Sequence, residues 1–146
     1  MSETHTEIDI DCPVERVREI LTDFPAYRSW NPFIRAVLVN GELKPDAELQ
    51  VTLKFPDMKD QMMKPKLLVV DKGKELRWIG TVPFGFFTGE HRWVIKENED
   101  GKSCKVVHAE VFGGWGRSII LWYLGDRVEE SFKNMNVAMK KRCEER

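Results

Sequence analysis

The sequence predicts an α+β fold in which an antiparallel meander packs against one long carboxy-terminal helix, with a short helix after the first strand. Three observations predict it. Six apolar, strand-like runs follow one another between turn residues. Apolar residues recur every three or four positions from about Gly116 to Cys143, over five helical turns. A shorter helical pattern lies between Pro13 and Pro25.

The first strand and the first helix have clear boundaries in the sequence. Polar and apolar residues alternate from His5 to Ile10, which is typical of a half-buried strand. Pro13 suits a first helical turn, Asp11 can act as its cap, and Pro25 stops the run. The apolar residues at helical spacing between them are Val14, Val17, Ile20 and Leu21.

The segment from Asp23 to Phe33 has four aromatic residues and two prolines among eleven residues. Its prolines forbid a continuous helix, and its rings carry more apolar area than a surface loop normally does. We therefore expect a tight turn inside a hydrophobic body. Tyr27 and Trp30 are predicted to pack into the narrow end of that body and to have a mainly structural role.

The meander follows this turn. Its turn signals include Lys72-Gly73, where a two-residue loop would place Leu67 opposite Trp78 and Val69 opposite Leu76. The strand-like runs are Phe33–Val39, Leu49–Phe55, Lys64–Asp71, Glu75–Thr81, Phe86–Glu97 and Lys102–Phe112. The stripe of the terminal helix consists of Leu121, Leu124, Val128, Phe132, Met135 and Met139.

Composition limits the function classes. The length of 146 residues suits one domain, residues 1–146, that builds its core without metal or disulfide. With 23 basic and 24 acidic residues, no field would gather nucleic acid or an anionic membrane. Three cysteines without metal-ligand spacing favour a reducing, cytoplasmic setting. No secretion signal, membrane span, phosphate loop or zinc motif is present, so no stable membrane insertion, no metal and no cofactor are expected.

The order of these features resembles the START-like or SRPBCC (Bet v 1-like) superfamily, and most of all its polyketide cyclase/dehydrase-like branch. The motifs that carry the resemblance are Cys12-Pro13-Val14-Glu15-Arg16-Val17, Tyr27-Arg28-Ser29-Trp30-Asn31-Pro32, Leu76-Arg77-Trp78-Ile79-Gly80, Gly89-Glu90-His91-Arg92-Trp93 and His108-Ala109-Glu110-Val111-Phe112-Gly113. The resemblance implies a helix-grip fold, in which a curved sheet wraps around the terminal helix. It also implies a deep cavity for a bulky apolar ligand, since members are carriers, receptors, cyclases, isomerases or partners of larger assemblies.

His91 and Glu110 are the candidate catalytic residues. Alternation on either side of Asp100 and Gly101 places His91 beside His108 or Glu110 on the inward face. The pair then acts as general acid and base, or forms a structural bridge. The residues predicted to line a ligand site are Phe55, Trp78, His91, Trp93, Phe112, Leu121, Val128 and Met135.

The sequence is compatible with more than one role for each of three loops. The segments 83–87 and 112–116 combine glycines with large rings, so they are gates over a pocket or bends in the strands. The methionine-bearing segment 57–63 is interpreted as a solvated connection in preference to a pocket rim. The sequence therefore predicts binding of a hydrophobic small molecule such as a lipid, sterol, polyketide or aromatic metabolite. A cyclase, dehydratase or isomerase and a protein-interaction module are the alternatives, and the oligomeric state is open.

Overall fold

A computed structural model of the protein describes residues 2–71 and 74–145. Within these residues the strands form one antiparallel sheet in the order β1-β8-β7-β6-β5-β3-β2, and β4 pairs with β3 at its margin. The strands are β1 Ser2–Ile10, β2 Ile34–Asn40, β3 Glu48–Leu53, β4 Gln61–Met63, β5 Lys66–Asp71, β6 Glu75–Val82, β7 Phe87–Glu97 and β8 Cys104–Gly113.

The helices cover the inner face of this sheet. α4 packs its apolar stripe on β1 and β8, and α1 packs against α4. Burial of Phe132, Met135 and Met139 on that stripe confirms the predicted α+β architecture. The helices are α1 Val14–Thr22, α2 Tyr27–Trp30, α3 Arg117–Leu124 and α4 Arg127–Glu144, and short 3₁₀ turns occupy Phe24–Ala26 and Pro83–Gly85.

The predicted single helix from Gly116 to Cys143 is wrong, because the chain breaks at Gly125. This glycine has φ 57° and ψ −136°, a conformation that side chains strongly disfavour, and it separates α3 from α4. Leu121 and Leu124 on α3 still pack against the core. The apolar spacing therefore continues through the break, and periodicity alone did not reveal it.

The register of β5 and β6 also departs from the prediction. Leu67 faces Trp78 as expected, but an irregularity between Leu67 and Val69 makes Val70, not Val69, the partner of Leu76. An added residue on one strand shifts every later pair by one position. The predicted turn residues, Lys72 and Gly73, lie outside the described residues.

The aromatic turn is built into the core as predicted. Tyr27 is fully buried, and its hydroxyl donates a hydrogen bond to the backbone carbonyl of Leu21. Its ring meets Phe24 and Trp30 edge to face, at centroid distances of 5.5 and 5.3 Å. These contacts fix the chain where α1 gives way to β2.

Asn31 then directs the chain into the sheet. Its side-chain Oδ1 accepts hydrogen bonds from the backbone N–H groups of Phe33 (3.0 Å) and Ile34 (2.9 Å), and the residue is fully buried. An asparagine side chain of this kind replaces a backbone turn. The turn places the Phe33 ring in the interior, 5.7 Å from Phe132 between ring centroids.

The three cysteines are free and buried. The Cys104 thiol donates to the backbone carbonyl of Cys12 at 3.6 Å. Burial raises the pKa of Cys104 to about 11 and that of Cys143 to about 12. Thiols with such pKa values are poor nucleophiles at neutral pH, so these residues serve as small core side chains.

Candidate functional site

A cavity of about 410 Å³ lies between the sheet and the helices α3 and α4. It reaches the surface where exposed side chains such as Met62, Val82 and Tyr123 form part of its lining. Its lining residues are Phe33, Leu53, Phe55, Met58, Gln61, Met62, Met63, Lys64, Gly80, Thr81, Val82, Phe87, Gly89, His91, Glu110, Phe112, Ile120, Tyr123, Leu124 and Val128. Most are apolar, and the polar ones are few and localised.

The cavity begins where small residues replace large ones at one end of the inward face. Gly80 of β6 and Gly89 of β7 are cross-strand partners, and both are buried. The preceding inward pair is Trp78 with His91, whose side chains fill the interior. The glycine pair therefore marks the level at which a solid core gives way to a hollow one.

Glu110 occupies the wall of the cavity next to His91. The two residues are directly opposite in the β7–β8 register, and His91 Nδ1 lies 3.9 Å from Glu110 Oε1. This separation is too long for a direct hydrogen bond. A Cβ on Gly89 would overlap Glu110 Oε2, so the glycine provides the space that the carboxyl group occupies.

A chain of buried hydrogen bonds connects His91 to helix α4 and strand β1. The Thr6 hydroxyl donates to the His108 backbone carbonyl at 2.7 Å, so its oxygen accepts from Asn136 Nδ2 at 2.9 Å. Asn136 Oδ1 then faces His108 Nδ1 at 2.8 Å, and His108 Nε2 faces His91 Nε2 at 2.7 Å. The four side chains are all buried.

This chain determines where each imidazole carries its proton. Because Asn136 presents its oxygen, His108 must donate from Nδ1, which leaves its Nε2 as an acceptor. His91 then donates from Nε2 to His108. The Nδ1 of a neutral His91 is therefore an unprotonated base, on the side of the ring that faces Glu110.

Aromatic packing holds the His91 ring in this orientation. The ring stacks on Trp93 at a centroid distance of 4.1 Å and on Phe132 at 4.9 Å, with interplanar angles of 16° and 17°. Trp78 meets it edge to face at 5.7 Å. A ring confined in this way cannot reorient without displacing core side chains.

Burial disfavours every charged form in this site. It lowers the pKa of His91 well below its usual value, with a further contribution from His108. It lowers the pKa of His108 to about 3, although the hydrogen bond to Asn136 acts in the opposite direction. It also raises the pKa of Glu110 to about 8. At neutral pH the site thus presents a protonated carboxyl group beside an unprotonated imidazole nitrogen.

The sequence profile of the family described as "polyketide cyclase / dehydrase and lipid transport" matches residues 1–144. The chain belongs to this family. No curated protein matches its sequence. Within the parts of the chain that the structure describes, no helix is long and apolar enough to cross a membrane. The same parts contain no group of three or more His, Cys, Asp or Glu residues placed to hold a metal ion.

Solved structures share the fold of this family member at low sequence identity. The Zhui aromatase/cyclase from Streptomyces sp. R1128 is 12% identical with a TM-score of 0.77, covering 98% of this chain and 93% of that one. A START superfamily protein from Mycobacterium smegmatis is 15% identical with a TM-score of 0.73, covering 97% of both chains. These likenesses confirm the predicted helix-grip fold.

A third structure is the di-domain aromatase/cyclase BexL from the BE-7585A biosynthetic pathway. It is 14% identical with a TM-score of 0.73, covering 99% of this chain. The family member described here spans half the length of that protein.

The structure brings only some of the predicted site residues to the cavity. Phe55, His91, Phe112 and Val128 line it, as does Glu110. The other four predicted ligand contacts do not. Trp78, Trp93 and Met135 are fully buried in the solid part of the core, and Leu121 packs against that core from α3.

Two groups of lining residues were missed from the sequence. The segment interpreted as a solvated connection supplies Met58, Met62 and Met63, because Gln61–Met63 forms strand β4 and closes one side of the cavity. The inward positions Gly80 and Gly89 were also missed. The sequence could have indicated these two positions, since a glycine on the inward face of a strand leaves space for a neighbouring group.

We expect the stability difference between the wild type and Glu110→Gln to depend on pH. The Glu110 pKa is raised on folding from 4.5 to about 8. Its stabilising effect is therefore complete below pH 4.5 and is lost as the pH rises towards 8. Between pH 7 and 9 the wild type should lose about 1 kcal/mol of unfolding free energy relative to the variant. Urea denaturation at both pH values measures this change, and a constant difference would contradict a protonated Glu110.

Proposed function

We propose that this protein binds a bulky, largely hydrophobic small molecule, such as a lipid, sterol, polyketide or aromatic metabolite, in the cavity between the sheet and helices α3 and α4. The observation that carries the proposal is a partly enclosed cavity of about 410 Å³ with a mostly apolar lining. Ligand sites in proteins typically measure about 300–1,000 Å³ and combine an apolar wall with a few placed polar groups. Membership of a family that includes lipid transport supports the same conclusion.

The polar groups of the wall would orient such a ligand. Glu110 and His91 offer a hydrogen-bond donor and an acceptor side by side at one end of the cavity. Lys64 and Gln61 lie on the β4 side. A ligand with a hydroxyl or carbonyl group at one end would satisfy the buried pair while its apolar body fills the space along Phe33, Phe55 and Phe112.

Micromolar binding of such a ligand requires only a modest amount of buried apolar surface. Burying about 300 Å² of apolar ligand surface at about 25 cal/mol per Å² contributes about 7 kcal/mol. A contribution of this order is comparable with that needed for micromolar binding. The entropy cost of ordering the protein on binding is reduced because packed sheet and helix residues form most of the cavity wall.

Val128→Trp should reduce ligand affinity by about tenfold or more, because the indole would occupy the cavity that Val128 lines. Val137→Trp is the matched control, since Val137 lies on the exposed face of the same helix. Fluorescence titration with cis-parinaric acid, together with native mass spectrometry of each purified protein, measures the effect. Unchanged binding by a folded Val128→Trp protein, or no binding by the wild type, would refute a ligand cavity here.

An enzymatic role of cyclase, dehydratase or isomerase type is the second candidate. The geometry that favours it is the placement of Glu110 Oε1 3.9 Å from His91 Nδ1 on the cavity wall, where burial raises the pKa of Glu110 to about 8. In an enolisation, His91 Nδ1 takes a proton from a carbon between two carbonyl groups. Glu110 donates its proton to one carbonyl oxygen, and the resulting enol is uncharged. Return of the proton from His91 to Glu110 restores both groups.

His91→Gln and Glu110→Gln, made separately, should abolish this turnover and leave binding nearly unchanged. A Gln side chain keeps the volume and hydrogen-bonding capacity but cannot exchange the proton. Glu90→Gln is the control, because Glu90 lies on the outer face of β7 and bonds to Arg77 at 3.0 Å. Product formation from a poly-β-ketone thioester is the readout, and full turnover in both site variants would exclude the enzymatic role.

A further inference from the structure

A group of large apolar side chains is exposed beside the opening of the cavity. They come from the end of β6, the turn after it, and the segment that contains α3. Their exposed fractions run from 41% to 96%. We call this group the apolar rim, and it consists of Val82, Phe84, Trp115, Ile119, Trp122 and Tyr123.

Hydrogen bonds join the two segments of the apolar rim into one surface. The Trp115 indole N–H donates to the Phe84 carbonyl at 3.1 Å, and the Trp115 backbone N–H donates to the Gly85 carbonyl at 3.2 Å. A Cβ at Gly114 would overlap the Phe86 backbone, and one at Gly116 would overlap the Phe86 ring. These glycines permit close approach, so the segments 83–87 and 112–116 are fixed in place by mutual contact.

Phe84 is held in an unfavourable backbone conformation that directs its ring into solvent. Its φ of 66° and ψ of 23° lie in the left-handed region, which is uncommon for a bulky residue. Its side chain is 96% exposed. Neither burial nor backbone geometry explains a phenylalanine here, which favours a role for the ring outside the folded chain.

The apolar rim is almost free of charge. Residues 79–88 and 111–125 contain no acidic residue and one basic residue, Arg117. The charged residues that flank the two segments along the chain are Arg77, Glu90, Glu110 and Asp126. Trp and Tyr beside such an uncharged surface are the residues that proteins place at the boundary between lipid headgroups and acyl chains.

The size of the apolar rim distinguishes between possible partners. A stable protein interface uses about 20–30 residues on each side. The apolar rim has six large side chains, carried by the end of β6, the turn after it, Trp115 and the eight-residue helix α3. A small, highly exposed group of rings suits shallow insertion into a lipid surface better than an extended contact with a second protein.

We propose that the apolar rim docks the protein reversibly on a lipid bilayer surface, with Phe84 and Trp122 inserted at the headgroup boundary. Val82 and Tyr123 belong both to the apolar rim and to the cavity lining. Docking would therefore place the opening of the cavity against the membrane. The contact is peripheral and mainly apolar.

Vesicle co-sedimentation tests this directly. The wild type should bind phosphatidylcholine vesicles at millimolar lipid, and binding should persist at high salt because few charges take part. The double variant Phe84→Ser with Trp122→Ser should bind about tenfold more weakly or worse. Both residues are highly exposed, so the variant should fold as the wild type does.

Val137→Ser is the control, since Val137 is a 64% exposed apolar residue of α4 that does not belong to the apolar rim. It should bind vesicles as the wild type does. Absence of vesicle binding by the wild type, or equal loss in the control, would overturn the proposal. So would a wild-type dimer, seen by analytical ultracentrifugation, that the double variant disrupts. None of these three results bears on ligand binding in the cavity, which is measured separately without vesicles.

Discussion

The hydrogen-bond chain from Thr6 through Asn136 and His108 to His91 is the interaction on which the site depends. It crosses from β1 to α4 and back to β7 through β8, so it joins the terminal helix to the centre of the sheet. Each member is buried, and removing any one would leave a buried polar atom of a neighbour without its hydrogen-bond partner. The same bonds that position the helix also determine the tautomer of His91. Stability and site chemistry are therefore coupled through one set of contacts.

The interior is divided by the sizes of the side chains on one face of the sheet. Around Trp78, Trp93 and Phe132 it is solid, and the imidazoles stack within it. Beyond the Gly80–Gly89 pair it is hollow. The polar pair of His91 and Glu110 lies at the boundary between the two parts. A ligand would thus meet a rigid, preorganised polar end and an adaptable wall that contains three methionines.

Period-two alternation was sufficient to predict that His91 shares a face with Glu110 and His108, because side-chain direction in a strand follows from sequence alone. Alternation does not show at which level along a strand the interior becomes hollow. Trp78 and Trp93 were therefore expected to line a cavity that forms one or two inward positions further along the strands. The break at Gly125 and the strand Gln61–Met63 depend on tertiary contacts that local patterns do not encode. The sequence therefore predicted the fold and the polar pair but not the extent of the cavity.

The site chemistry depends on one protonation state: burial keeps both imidazoles neutral, and the hydrogen-bond chain presents the bare Nδ1 of His91 to the cavity. Nitrogen-15 NMR of the histidine side chains tests it most directly, because the two nitrogens of a neutral ring have distinct chemical shifts. We expect protonation of His91 at Nε2 and of His108 at Nδ1, unchanged from pH 6 to pH 8 since burial lowers both pKa values. The reverse tautomers, or an imidazolium at pH 6, would contradict it.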